Sequence, residues 1–127
     1  MEFRENPAIY IQIAEYVCEQ ILLKKWKTGE RIISIRDLAV KLQVNPITVQ
    51  RSYDLLQQRE IISNKRGIGF FVEDEASNKI IAFRKEQFLE NELPVFLKNL
   101  YLLKIDINEI KSRLDQFVKE NYKNIKL

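Results

Sequence analysis

A stretch of polar side chains that begins at Pro46 has the spacing of one face of a helix. If the chain is helical from Pro46 to about Arg59, the apolar positions recur every three or four residues and turn inward. The inward set is Val49, Ser52, Tyr53 and Leu56, and the outward set is Ile47, Thr48, Gln50, Arg51 and Asp54. Hydroxyl, amide and guanidinium groups on an exposed helix face can hydrogen-bond to bases and phosphates. A helix with this outer face can therefore contact DNA.

A shorter helix precedes it across a tight turn. Ser34 and Asp37 have the spacing of a capping box, which opens a helix. Residues 43–44 make the turn, and Asn45 is a good N-cap. Pro46 then occupies the first helical position, where a missing N–H costs nothing. The sequence predicts two helices joined by a turn, with the second helix exposed.

The flanking segments supply a core for this pair. The apolar spacing predicts an amphipathic helix from Pro7 to Lys24, and residues 31–33 are long enough only for a stub of strand. Cys18 lies on the apolar side of that helix and is interpreted as a core thiol. Trp26 is expected to pack over the same helix.

A hairpin with a basic tip is predicted after the second helix of the pair. Residues 61–63 and 68–72 have strand composition, and residues 64–67 form the turn between them. Gly67 and Gly69 tolerate positive φ and permit a close backbone approach, which fits a turn lying against a sugar-phosphate chain. A plain hairpin whose glycines serve only the turn is the alternative.

Composition excludes several classes of protein. The chain has 127 residues with 46% apolar residues and a net charge of +3, and residues 24–66 hold ten basic against four acidic residues. That excess favours phosphate attraction, although exposed lysines are also common solvated surface. With no histidine and one cysteine, neither a Ser-His arrangement nor a His-Cys metal site can be assembled. We expect no enzyme, no metal and no cofactor, and no apolar run long enough for a membrane.

The last part of the chain predicts two apolar helices. Residues 77–103 predict a helix that Pro94 must bend or divide into two. A heptad-like seam within it consists of Leu89, Leu93, Phe96, Leu100 and Leu103. Asp106 and Glu109 resemble a second capping box, which starts a final helix whose Ile107 and Val118 are expected to face inward.

The apolar surface of these two helices should be covered by another part of the chain or by another molecule. A second copy of the chain is the simplest candidate, because symmetric dimers are the commonest soluble oligomers. The alternative is that these helices fold back on the N-terminal half. The predicted dimerisation residues are Phe88, Leu89, Leu93, Phe96, Leu97, Leu100, Leu103, Ile110, Leu114 and Phe117.

Five ordered segments resemble the GntR family of bacterial winged helix-turn-helix repressors. They are PAIYIQI from Pro7, TGER from Thr28, SIRDLA from Ser34, VNPITV from Val44 and GIGFFV from Gly67. The resemblance implies a mostly α fold with a small β-hairpin wing, a DNA-binding domain at residues 1–75 and a two-helix dimerisation tail at residues 76–127. That tail is too short for the effector domains of other branches. With Asn45-Pro46 it is similar to the YtrA branch, whose members often regulate nearby transporter genes.

The resemblance also implies particular DNA contacts. Arg36 would contact DNA from the start of the first helix of the pair, the second helix would lie at the major groove, and the wing would reach the minor groove. The chemistry agrees, because arginine can fork onto guanine or phosphate and glutamine can pair with adenine. The implied DNA-binding set is Ser34, Arg36, Asn45, Pro46, Ile47, Thr48, Gln50, Arg51, Lys65, Arg66, Gly67 and Gly69.

Two of these residues depart from the family pattern. Ile47 replaces a residue that is often polar, and Gln50 replaces a frequent arginine, so the resemblance does not specify the operator sequence. Asn45 serves either as a cap alone or as a cap that also contacts DNA. The implied function is a cytoplasmic transcriptional repressor that binds a palindromic operator as a homodimer, with no effector assigned. The alternative is a winged-helix module for protein–protein contact that does not bind DNA.

Overall fold

The computed structural model describes residues 8–122. It contains six α-helices, one π-helical segment and two strands among those residues. In chain order they are α1 (Ile9–Leu22), α2 (Ile35–Leu42), α3 (Pro46–Gln58), β1 (Ile62–Lys65), β2 (Gly69–Val72), α4 (Ala76–Gln87), the π-helical segment (Phe88–Glu92), α5 (Leu93–Leu102) and α6 (Ile107–Asn121). The mostly helical prediction with one antiparallel hairpin is confirmed. The predicted helix start at Pro7 lies outside the described residues.

The chain divides into two compact units, which meet between Arg84 and Lys85. The first unit has a core to which α1, α2, α3, both strands and α4 contribute. Its fully buried side chains include Ile13 and Val17 of α1, Leu38 of α2 and Leu56 of α3. The predicted inward face of α3 is confirmed, since all four of its residues are buried.

The hairpin extends further than its sequence suggested. β1 pairs with β2 from Ile62 opposite Val72 to Lys65 opposite Gly69, so the pairing includes residues that we assigned to the turn. The turn is shorter than predicted because the N–H of Ile68 donates to the carbonyl of Lys65 at 2.9 Å and Gly67 adopts a φ of 78°. Only a residue that tolerates positive φ closes so tight a turn without strain.

The predicted strand stub is also present. Arg31 bridges to Phe71 on the open edge of β2, and the N–H of Ile32 donates to the carbonyl of Phe70 at 2.9 Å. The N–H of Val72 donates in return to the carbonyl of Glu30 at 3.1 Å. The wing therefore has a third, short strand that comes from the loop before α2.

Two predictions about single core residues are confirmed. Cys18 is fully buried, and desolvation raises the pKa of its thiol to about 12, so the thiol stays protonated and inert at neutral pH. Trp26 packs edge-to-face on Tyr16 of α1, with ring centroids 6.3 Å apart. No helix among residues 8–122 is both long enough and apolar enough to span a bilayer.

The first unit ends later than the predicted boundary after residue 75. Ala76, Ile80 and Phe83 of α4 are buried in its core. The guanidinium carbon of Arg59, the residue that follows α3, lies 5.2 Å from the centroid of the Phe83 ring. The heptad-like seam begins only at Leu89, so it did not predict that apolar residues of α4 before this point would be buried. The first turns of α4 therefore complete the N-terminal core.

Up to residue 122, the apolar side chains of the second unit are exposed or only half-buried. The helical path continues from α4 through a π-helical segment that ends just before Leu93 and Pro94, as expected where a proline cannot fit into a regular α-helix. No residue of the π-helical segment, α5 or α6 is buried. Ile107, which we expected to face inward, is 61% exposed, and Val118 is half-buried. Asp106 caps α6 by accepting from the N–H of Asn108 at 2.7 Å.

We predict that two truncations differ sharply in stability. A chain that ends at Gln87 keeps Ile80 and Phe83 and should unfold in one cooperative thermal transition. A chain that ends at Ala76 loses both side chains, each of which contributes roughly 1.5 to 3 kcal/mol by burial, and should melt far lower or not fold. Differential scanning calorimetry of the two truncations measures this; equal midpoints would show that α4 adds nothing to the N-terminal core.

Candidate nucleic-acid interface

The N-terminal end of α3 is exposed and firmly capped. The Oδ1 of Asn45 accepts a hydrogen bond from the N–H of Ile47 at 2.8 Å, and Pro46 occupies the first turn. The Ile47 side chain is 76% exposed, and Thr48 is half-buried beside it. Because Pro46 has no N–H and the N–H of Thr48 donates to the carbonyl of Asn45 at 3.0 Å, this helix end offers a phosphate the partial positive charge of the helix dipole rather than free donors.

The inner face of α3 is held by two buried hydroxyl groups. The Oγ of Ser52 donates to the carbonyl of Tyr10 in α1 at 2.6 Å. The Oη of Tyr53 donates to the carbonyl of Ile33, just before α2, at 2.7 Å. Tyr53 is fully buried, and desolvation raises the pKa of its phenol, so it remains a neutral donor. These bonds fix the rotation of α3 and thereby which side chains point outward.

Gln50 and Arg51 occupy the outer face with partners of their own. The Nε2 of Gln50 donates to the Oδ1 of Asp54, one turn later, at 2.8 Å. The Gln50 amide can keep this bond while it pairs with a base, because its nitrogen carries a second hydrogen and its oxygen is still an acceptor. The guanidinium carbon of Arg51 lies 4.0 Å from the ring centroid of Tyr10, a cation–π contact that leaves the side chain exposed.

The start of α2 brings a second group of predicted contacts to the surface. The Oγ of Ser34 accepts from the N–H of Asp37 at 3.1 Å, which confirms the predicted cap; its hydroxyl hydrogen can still donate to a phosphate. Arg36 lies in the first turn and is exposed. Gln43 closes α2 with a φ of 55°, which fixes the turn to α3.

The wing carries the remaining predicted residues. Lys65 and Arg66 are exposed at its tip, and the Nζ of Lys65 lies 4.4 Å from the ring centroid of Phe71. A Cβ added to Gly67 would meet nothing within 4 Å. The open space around Gly67 fits the predicted turn with room for another backbone.

The sequence predicted that Gly69 permits the approach of a sugar-phosphate chain, but its neighbour in the structure is Arg31. The φ of Gly69 is 144°, and a Cβ built on this glycine would lie 2.7 Å from the Nε of Arg31. The close approach that Gly69 permits within the chain is therefore that of the Arg31 guanidinium. The sequence placed Arg31 in the basic excess, in the strand stub and in the TGER segment, but not among the predicted DNA contacts, since local sequence does not show that the stub pairs beside β2.

One surface of the N-terminal unit has the opposite charge. An open cleft of about 550 Å³ is lined by carboxylates and by Lys79, whose Nζ lies 2.9 Å from the Oε2 of Glu60. The carboxylates are Glu60, Glu73, Asp74 and Glu75. Such a surface repels phosphate, so the basic residues of α2, α3 and the wing are the suitable ones for nucleic acid.

Comparison with known proteins agrees with this geometry. The sequence profile of the bacterial regulatory proteins of the gntR family matches residues 9–72, which span α1 to β2. The HTH-type transcriptional regulator YhcF of Bacillus subtilis is 28% identical over 116 residues, which cover 91% of this chain and 94% of YhcF. The HTH-type transcriptional repressor YtrA of the same species is 25% identical over 123 residues, covering 97% of this chain and 91% of YtrA.

A solved structure extends the likeness beyond the profile. A GntR-family transcriptional regulator from Bacteroides thetaiotaomicron is 47% identical, with a TM-score of 0.76 over 89% of this chain and 98% of that one. The similarity therefore includes the C-terminal helices as well as the helix pair and the wing. The chain belongs to the GntR family of bacterial regulatory proteins, and it is a YtrA-like, winged helix-turn-helix DNA-binding transcriptional regulator, not an enzyme.

Proposed function

We propose that this regulator is a cytoplasmic repressor that binds a palindromic operator as a homodimer. The observation that carries the proposal is the outer face of α3, which is exposed while Ser52 and Tyr53 lock its inner face. A helix held in this way can enter the major groove without rearrangement of the core, and its operator is read by the side chains that face outward.

Each predicted DNA contact has a role that suits its place. Arg36 forms a bidentate pair of hydrogen bonds with a guanine or a phosphate, and Thr48 donates to a phosphate or a base. Ile47 packs on a thymine methyl, and Gln50 pairs with adenine through its amide oxygen and its second amide hydrogen. Asn45 acts first as the helix cap, while Arg51, Ser34 and the basic tip of the wing bind the backbone.

The apolar surface of the second unit supports a dimer. Leu97 and Phe117 are 50% and 52% exposed, and Leu103 is 66% exposed. Apolar side chains of this size each cost roughly 1.5 to 3 kcal/mol when left in water, so a matching surface on a second copy is favoured. A two-fold dimer sets two copies of α3 about 34 Å apart, the spacing of successive major grooves on one side of DNA.

Repression and the regulated genes are inferred by similarity. YtrA of Bacillus subtilis is a transcriptional repressor and matches over nearly the whole chain. A dimer bound across a promoter excludes polymerase by occupancy alone, without an activating surface. We assign nearby transporter genes as the targets from the resemblance to the YtrA branch.

Selection from random duplexes tests this proposal. The purified protein should enrich a palindromic site whose halves lie about one helical turn apart. Its affinity should fall steeply as salt rises, because bound phosphates release counterions. Failure to enrich any site, or binding to other proteins with no salt dependence, would favour the protein–protein module instead.

We predict that Arg36→Ala weakens binding to the selected site by roughly 1 to 3 kcal/mol, the usual value for a lost guanine contact. Lys41→Ala, at the exposed other end of α2, is the matched control and should have a smaller effect. Fluorescence anisotropy titration measures both variants. Equal affinity of Arg36→Ala and the parent protein would remove Arg36 from the interface.

We predict that Leu97→Asp with Leu103→Asp converts the dimer to monomers, since both side chains are exposed in the protomer and would place charge in the interface. Val95→Asp is the control: Val95 is also exposed, at 59%, but is not one of the predicted dimerisation residues. Sedimentation velocity gives the mass of each variant. Persistent dimers in the double variant would place the interface elsewhere.

A further inference from the structure

The two faces of the wing differ completely in character. Side chains alternate between faces along a strand, and directly paired residues share a face. Phe70 and Val72 face the core, where Phe70 packs on Tyr53 with ring centroids 4.9 Å apart and Val72 is buried. Gly69 and Phe71 face outward, together with Lys65, the partner of Gly69.

Arg31 lies on the same outward face from the opposite edge. It is paired with Phe71, whereas the next residue, Ile32, is buried. Its guanidinium crosses to Gly69, where a Cβ would stand 2.7 Å from Nε. Neither Arg31 nor Lys65 forms a salt bridge within residues 8–122.

We infer that Arg31 is a third basic contact of the wing to the DNA backbone, and that Gly69 positions it by leaving bare backbone beneath its guanidinium. This inference rests on the proposed DNA binding. Arg31 and Lys65 stand on either side of Gly69, so one phosphate or two neighbouring phosphates can be held between strands that are distant in sequence. The wing then contacts DNA through its outward face as well as through its tip.

The chemistry of the two cations favours phosphate over a base edge. Guanidinium binds phosphate oxygens with two parallel hydrogen bonds, and the Lys65 ammonium is held over Phe71 as a point charge. A contact to phosphate carries no sequence information. Loss of Arg31 should therefore weaken binding to every duplex alike.

The test uses the full-length protein and two labelled duplexes of about three helical turns. One carries the site selected by the parent protein, and the other is a scrambled duplex of the same composition. Anisotropy is measured over a range of salt. Arg31→Gln should weaken binding to both duplexes by roughly tenfold at low salt and make the salt slope shallower by about one. Arg31→Lys should restore the slope.

A double-mutant cycle tests the role of Gly69. Gly69→Ala should weaken binding more in the parent protein than in the Arg31→Gln background, because the guanidinium that the new methyl displaces is present only in the parent, whereas the strain of an alanine at a φ of 144° is common to both. Gly67→Ala is the matched control, since Gly67 also has positive φ, at 78°, but has nothing near its Cβ position. Its effect should be equal in both backgrounds.

Three results would overturn the inference while leaving DNA binding intact. They are an unchanged salt slope in Arg31→Gln, a loss confined to the selected duplex, and a Gly69→Ala effect that is the same in both backgrounds. If the parent protein binds neither duplex, the proposed function fails, and the role of Arg31 fails with it.

Discussion

Tyr53 joins the three parts of the DNA-binding unit through one buried side chain. It belongs to α3, its hydroxyl donates to the carbonyl of Ile33 before α2, and its ring packs edge-to-face on Phe70 of the wing. The carbonyl of Ile33, a half-buried residue, would lose this partner if the phenol hydroxyl were removed, and a typical hydrogen bond contributes about 0.5 to 1.5 kcal/mol to stability. The orientation of α3 relative to the wing therefore depends on a buried contact on the inner face of α3, away from its exposed outer face.

Local capping then decides where each helix of the proposed DNA interface begins. Ser34 and Asn45 each accept a backbone N–H with a side-chain oxygen, and Pro46 has no N–H that would need a partner in the first turn of α3. The exposed residues at these starts, Arg36 and Ile47, are placed by caps that are independent of the core. Because the caps and the buried face of α3 hold the helix in place, the residues on its outer face can vary without loss of the fold.

The two units differ in how far they bury their apolar side chains. The first unit buries its apolar side chains in one core that extends into α4. The second has no buried residue from the π-helical segment to α6, which is why we propose that a second copy covers it. Affinity for a palindromic operator would then depend on the tail as much as on α3, because only a dimer binds both half-sites at once.

The amino-acid sequence by itself determined the features that depend on neighbours along the chain. The caps at Ser34, Asn45 and Asp106, the inward face of α3 and the interruption at Pro94 follow from spacing and from the chemistry of a few adjacent residues. Tertiary structure alone decided that Ile80 and Phe83 belong to the first core, that Gln50 is bonded to Asp54, and that Gly69 accommodates Arg31. These contacts depend on which segments and side chains lie next to one another in the folded unit. The packing of the whole unit decides this, and a local sequence pattern cannot predict it.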